Sequence, residues 1–469
     1  MDTISDDDLL GRLAFDNPWW AFTEATEIRF RHPPKRAYFA AFSGRVRAAS
    51  RAPLVLAGPL RAGKTVVLRQ TIAELIGAGT PPTSILYAAL TAPSYAGCEL
   101  ARLVGLFAAR HGHANGAPLV LLFDEVEYVR DWQQAFVGIA KAWPRARIVA
   151  AVSSGAPALV GGPAPAANGL ETFVLPPLTF AEFLRFRDSE AALFGDAAGQ
   201  PGSALSLGGR ALATLNEEFH RYVNFGGFPE GVLAKPAGAP APTFVRDGIP
   251  ERVLHKDLAS LAGVNDAQEL NRLFAILALN TAREVTMEEL ATAAGIAKNT
   301  LRKYLDYLEG AFLIRRLARV DRLAKRFQRA VAFKVHLTAP CLYAALFGPV
   351  PADDLRFPRL AETALAAQWL GGAGVGNLAY ASWRGGVVDL LTMAAAGNRP
   401  ERAFEIDWGD AYGKGGGKPR TLVEFVDGTN AHARAYILTR SLARPAAMAG
   451  IDVTLVPLAL YAYWLGRGA

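Results

Sequence analysis

The sequence predicts an α/β protein built on a parallel sheet, and three observations predict it. Near-continuous apolar runs alternate with helical stretches from residue 51 onward, a glycine-rich loop lies between the first run and the first helix, and an acid pair closes a later run. The chain has 469 residues, against about 100–200 for a usual domain, so several domains are expected. Hydrophobic residues at 51% and charged residues at 20% exclude a disordered or fibrous chain.

In chain order, the runs are Pro53-Leu-Val-Leu-Ala, Ile85-Leu-Tyr-Ala-Ala-Leu, Leu119-Val-Leu-Leu-Phe and Ile148-Val-Ala-Ala-Val, with a helix expected from Val66 to Ile76. Apolar runs without alternation indicate strands covered on both faces. Gly161–Gly169, Gly195–Gly209 and Lys235–Pro242 read as surface loops or linkers, the last being the best boundary candidate. The pattern turns helical from Thr243 to about Phe347. Beyond Pro351 strands are expected at Gly386–Met393, Arg402–Ile406 and Ala435–Leu438. Acids at Asp2, Asp6, Asp7 and Asp8 stand where a leader peptide would be basic, which argues against secretion. The apolar run near Val453–Leu465 is broken by Pro457 and falls short of the roughly 18 residues that span a bilayer. Cys98 and Cys341 are too few for a disulfide framework and lack zinc spacing, so a cytoplasmic protein with no membrane contact is expected.

Gly58-Pro-Leu-Arg61-Ala62-Gly63-Lys64-Thr65-Val66 matches the phosphate-loop pattern G-x-x-x-x-G-K-[ST] and lies between a strand and a helix, the context the pattern requires. Glycines let backbone N–H groups turn inward on a phosphate, and the helix N-terminus adds a favourable dipole. Lys64 is suited to β/γ-phosphate oxygens and Thr65 to Mg²⁺, so ATP and Mg²⁺ are the expected cofactors. The run Leu119–Phe123 ends in Asp124 and Glu125, which divides labour: Asp124 for the metal, Glu125 as base for a water. Ser153 and Ser154 close the next strand, where a hydroxyl beside the γ-phosphate and a plain turn are both open readings.

These residues resemble the AAA+ superfamily, and in particular a bacterial and archaeal ATPase family whose pattern continues beyond the nucleotide core. Asp124-Glu125 with Trp132, Ser153-Ser154, Pro177-Leu-Thr-Phe-Ala-Glu182-Phe183 and Gly226-Gly-Phe-Pro229 follow that family's motifs in order, over roughly residues 15 to 440. The family's Gly-Arg before P-L-[ST]-F has no counterpart here, leaving Arg145 and Arg147 as weak candidates for an arginine finger. The resemblance implies a homo-oligomer, a ring or spiral such as a hexamer.

Thr286 to Gly310 reads as a helix-turn-helix. Thr286 and Glu289 form a capping-box pattern, Gly295 supplies the turn, and Leu301, Tyr304, Leu305 and Leu308 recur at helical spacing. Ala311–Leu317 would be the strand of a wing. From Arg302 to Lys334 there are ten basic residues against three acids, an excess equal to the +7 of the whole protein. Such a run suits duplex DNA, with Lys298, Asn299, Arg302, Lys303, Arg315, Arg316, Arg322 and Arg326 as candidate contacts. A solvated surface, or a protein partner held through the winged helix, stays open.

Glu362 on a helix, Asp389 on a strand and Glu405 on the next resemble the PD-(D/E)XK nuclease fold, in which such acids converge on Mg²⁺ and a lysine follows the last acid by two residues. Asp407 stands at that lysine position, which predicts a degenerate, structural or DNA-holding domain unless Lys414 or Lys418 restores the cation. The expected organisation is an α/β P-loop AAA+ parallel-sheet core with a helical lid (1–240), a winged-helix module (241–348) and a C-terminal restriction-endonuclease-like domain (349–469). The expected function is an ATP-hydrolysing motor that translocates along or remodels duplex DNA. A nucleotide-switched interaction protein and an ATP-dependent nuclease are the alternatives.

Overall fold

The computed structural model describes residues 4–21, 34–48, 50, 52–153, 169–195, 207–233, 267–327, 332–371, 377–394, 399–414, 420–448 and 450–468. The chain divides into two compact units, Met1–Leu175 and Pro176–Ala469. Among the described residues, no helix is long and apolar enough to cross a membrane.

The first unit carries strands β1 (Leu54–Ala57), β2 (Ile85–Ala89), β3 (Val120–Asp124), β4 (Arg147–Val152) and β5 (Glu171–Val174). They form one parallel sheet in the order β2-β3-β4-β1-β5. Every residue of β1 and β4 is buried, which is why these strands read as unbroken apolar runs. One face of the sheet packs Leu54, Leu56, Val149 and Ala151 against Val67, Leu68 and Ile72 of helix Lys64–Gly77 and against Phe39 and Phe42 of helix Phe39–Arg47. The exposed edge of β2 is closed by a side chain. Asn17 Nδ2 donates to Tyr87 O (2.7 Å) and Tyr87 N donates to Asn17 Oδ1 (2.7 Å), so an amide stands in for a neighbouring strand.

The second unit is organised on a mixed nine-stranded sheet, ordered β13-β14-β12-β11-β10-β9-β7-β8-β6. Its strands are β6 (Arg283–Thr286), β7 (Ile314–Val320), β8 (Ala332–Leu337), β9 (Leu378–Trp383), β10 (Gly386–Met393), β11 (Pro400–Asp407), β12 (Arg434–Thr439), β13 (Arg444–Met448) and β14 (Ile451–Pro457). Helices Ala267–Leu279, Met287–Ala294 and Lys298–Gly310 are threaded among β6, β7 and β8, which pair antiparallel. Thr286 caps Met287–Ala294 in a capping box with Glu289, and Gly295 ends that helix at φ 72°, as the spacing predicts. β9, β10 and β11 form an antiparallel meander, and β12 joins β11 in parallel after helix Arg420–Val426.

These units differ from the expected three segments, for a physical reason. β7 hydrogen-bonds to β9 in parallel register, Ala318 to Ala379 and Val320 to Ala381, so residues on either side of the expected 348/349 boundary share one sheet. The helices expected as a lid of the first domain belong to the second unit. Thr179 caps helix Phe180–Phe186 in a capping box with Glu182, and its hydroxyl donates to Gly466 O (3.1 Å). Phe180 N donates to Gln368 Oε1 (2.9 Å), and Leu178 N donates to Gly227 O (2.7 Å). The Pro-Leu-Thr-Phe and Gly-Gly-Phe-Pro motifs thus hold these helices against C-terminal ones. The linker expected at Lys235–Pro242 lies wholly outside the described residues, which on this side end with the helix Pro229–Leu233.

Candidate functional site

The loop after β1 turns sharply because its residues permit it. Arg61 at φ 63° and Gly63 at φ 94° occupy the left-handed region, and Gly63 then caps helix Lys64–Gly77. At Gly58 a Cβ would lie 2.1 Å from Leu175 O, so only glycine fits between β1 and the chain leaving β5. Arg36, itself buried, donates to Ala62 O (2.5 Å) and braces the loop from outside. Lys64 is buried, and its Nζ donates to Gly58 O (2.9 Å) and Pro59 O (2.8 Å) across the concavity.

Opposite this loop, the carboxyl end of β3 presents Asp124. Thr65 Oγ1 donates to Asp124 Oδ2 (2.7 Å), and so does Tyr87 Oη (2.8 Å). Asp124 Oδ1 is buried without a partner among the described residues, an acceptor facing away from solvent with nothing to accept. A hydroxyl and an orphaned carboxylate oxygen, beside a lysine and a helix N-terminus, form a donor set that fits a Mg²⁺-nucleotide. Glu125 follows at φ 54° and ψ 49°, a left-handed conformation costing a non-glycine residue ~1–2 kcal/mol. Such strain is tolerated where the position of a side chain matters more than local stability.

Glu127 escaped the sequence reading. Ser153 N donates to its Oε1 (2.6 Å), while Oε2 is buried without a partner among the described residues. Burial pushes this carboxyl up to about 7, although the Ser153 amide and Lys64 pull it down. It therefore ties the turn after β3 to the end of β4, where Ser153 is buried. Ser154 lies outside the described residues. Spacing could have flagged Glu127, two residues beyond Glu125; Tyr87, on a neighbouring strand, has no such signal. Arg147 does not serve as an arginine finger. It is buried and spends its guanidinium on Ser50 O, Ala52 O, Arg45 O and Glu171. Arg145 is exposed.

The basic candidates in the second unit separate into two groups. Lys298, Asn299, Arg302 and Lys303 are exposed on helix Lys298–Gly310, whose Leu301, Tyr304, Leu305 and Leu308 are buried. Arg322 and Arg326 are exposed in the turn after β7, Arg322 Nε reaching Glu424 O (3.2 Å). Arg316 is different: its Nε donates to Glu309 Oε2 (2.7 Å) and Nη2 to Asp306 Oδ1 (2.7 Å), so it fastens β7 to the helix before it. Arg315 is half-buried. The expected footprint therefore loses Arg316, because its charge is matched internally.

Of the three C-terminal acids, Glu362 and Asp389 meet at one lysine. Glu362 is buried, and Lys334 Nζ of β8 donates to its Oε1 (2.9 Å) and to Asp389 O (3.1 Å). Glu405 accepts a short hydrogen bond from Tyr412 Oη, and burial, Asp389 and Asp407 push it up to about 7 against that bond. Asp407 does not extend the set. Its Oδ1 accepts from Ala411 N (2.9 Å) and Oδ2 from Tyr412 N (3.1 Å), so it caps the turn after β11. Lys418 and the side chain of Lys414 lie outside the described residues.

Residues 50–184 match an AAA domain, and residues 216–353 match a domain of unknown function, DUF8612. The chain is also similar to an uncharacterised protein of Haemophilus influenzae, 25% identical over 284 residues that cover 59% of this chain and 65% of that protein. The matched stretch thus spans a little under two thirds of the relative's length. With the AAA match falling on the loop, the acid pair and the parallel sheet, the first unit carries a P-loop ATPase domain of the AAA type, which implies nucleotide binding.

Proposed function

We propose that the chain is an ATP-driven motor that engages duplex DNA through the polar face of helix Lys298–Gly310 and couples hydrolysis to movement along, or remodelling of, that DNA. In this reading Lys64 and the N-terminus of its helix hold the phosphates, and Thr65 and Asp124 hold Mg²⁺. Bound Mg²⁺-ATP supplies the phosphoryl group to be transferred to water. Glu125, aimed by its left-handed backbone, orients that water and takes its proton. Glu127 keeps Ser153 and the turn carrying Glu125 in fixed relation.

The observation that carries the DNA assignment is the division of helix Lys298–Gly310 into a buried apolar face and an exposed face with Lys298, Asn299, Arg302 and Lys303. The order helix, strand, two helices and two strands, with β6, β8 and β7 antiparallel, supports reading this segment as a winged helix. Arg322 and Arg326 extend the basic surface beyond β7. An AAA-type core with an ATP site between protomers would assemble as a homo-oligomeric ring or spiral.

ATPase turnover measured with and without duplex DNA, across a salt series, tests the reading. Stimulation should fall steeply with salt, and the logarithm of the DNA-binding constant should fall against log salt with a slope of about −0.9 per phosphate contacted. Lys298→Glu, Arg302→Glu and Lys303→Glu together should abolish stimulation and leave basal turnover unchanged. Stimulation that survives the triple variant refutes this surface. No stimulation at low salt refutes the DNA motor and leaves a nucleotide-switched contact with a protein partner.

A further inference from the structure

The nuclease resemblance implies a divalent cation on Glu362, Asp389 and Glu405, and the residues present do not fit one. Among the described residues no three His, Cys, Asp or Glu side chains are grouped so as to hold a metal ion. The reason is visible in the cluster itself. Lys334 Nζ lies 2.9 Å from Glu362 Oε1, 3.1 Å from Asp389 O and 3.5 Å from Asp389 Oδ1, with its side chain 5% exposed. Asp389 Oδ2 is already taken by Ile406 N (3.0 Å) and Glu405 Oε1 by Tyr412 Oη, which leaves Glu405 Oε2 as the one oxygen of this pair that is buried without a partner among the described residues.

We propose that Lys334 is a built-in counter-ion, an ammonium standing where a divalent cation would otherwise be drawn, so that this acid cluster is metal-independent. A buried carboxylate must be compensated by a cation and by hydrogen bonds. Lys334 supplies both, from a strand three places removed from β10 in the sheet. Its ammonium also lies over the ring of Tyr380, with Nζ 5.5 Å from the ring centre. A divalent ion entering beside Glu362 and Asp389 would meet the ammonium at like-charge contact and would have to displace it. Burial works against both charges: it pushes the Glu362 carboxyl up to about 8 although Lys334 pulls it down, while Glu362 and Asp389 together outweigh burial at the lysine and hold the ammonium protonated. His336 adds no cation. Burial and Lys334 push it down to about 3, so it stays neutral with Nε2 3.5 Å from Glu362 Oε1. The cluster consequently pins β8, helix Phe357–Ala367 and β10 together, where a metal site would leave them bridged by an exchangeable ion.

The test uses the full nucleotide-free chain with Asp124→Asn in the background, so that Mn²⁺ at the phosphate loop is not counted, and reads bound Mn²⁺ by its electron paramagnetic resonance. The parent should bind no Mn²⁺ that Asp389→Asn removes. Lys334→Met, which keeps the length of the stem, should gain a Mn²⁺ site that is lost again in Lys334→Met with Asp389→Asn. Mn²⁺ should raise the melting temperature of Lys334→Met but not of the parent. Parent binding that Asp389→Asn abolishes overturns the proposal, and that arm does not depend on any lysine variant folding. A folded Lys334→Met that gains no Mn²⁺ site also overturns it.

Discussion

Replacing Arg316 by methionine separates a structural arginine from a DNA-binding one. Its guanidinium bonds Glu309, whose side chain is 16% exposed, and Asp306, whose side chain is 46% exposed, while its own is 29% exposed. A hydrogen bond to a charged, largely buried partner contributes about 1.5–3 kcal/mol. An exposed ion pair contributes ~0.2–1 kcal/mol. Glu309 keeps its bond from Arg316 N (2.8 Å) in the variant, which softens the loss, and methionine retains the packing of the stem. The net cost is then about 2 kcal/mol. At roughly 2–4 °C per kcal/mol for domains of this size, the melting transition of the second unit should fall by roughly 4–8 °C in calorimetry. The salt slope of DNA binding should not change, whereas Arg326→Met should lower it by about one and leave the melting temperature in place. An Arg316→Met chain that melts with the wild type but loses a unit of salt slope would refute the reasoning and return Arg316 to the DNA surface.

Other expectations follow from the same geometry. Glu125→Gln should bind ATP yet turn over ~10²–10⁴-fold more slowly in a phosphate-release assay; normal turnover would remove the base assignment. Glu127 is pushed up from 4.5 to about 7, so the folded chain retains a proton that the unfolded chain loses across that interval. Its contribution to stability therefore declines from pH 4.5 to 7 and is flat above, by at most about 3 kcal/mol. Glu127→Gln should melt higher than the nucleotide-free wild type at pH 8 and close to it at pH 5, and a gap that is equal at both values would contradict this. At Gly227, φ is 98° and a Cβ would meet Ala339 Cβ at 3.0 Å and Cys341 Sγ at 3.3 Å. Gly227→Ala should thus cost ~1–2 kcal/mol in backbone strain alone, read as a lower melting temperature of the second unit.

The nucleotide half of the protein was largely legible in the sequence, because its chemistry is local. A phosphate loop needs particular residues at consecutive positions between a strand and a helix, and the structure places Gly58–Thr65 between β1 and its helix and ends β3 at Asp124. Continuous apolar runs announced a doubly covered parallel sheet, and the capping box at Thr286 and the turn at Gly295 were local signals of the same kind. Charge was less legible. Counting bases from Arg302 to Lys334 treats each as solvent-facing, yet Arg316 is matched by Glu309 and Asp306, and Lys334 by Glu362 and Asp389.

By itself the sequence determined which residues can turn, cap, carry phosphate and line a covered strand, since these depend on neighbours a few positions away. Only the tertiary structure decided the partners of Lys334, Arg316, Tyr87 and Asp407. It also decided that β7 and β9 run in one sheet, merging two expected modules. Burial and pairing are properties of strands brought together from distant positions, and a cation's role is set by the acid it meets.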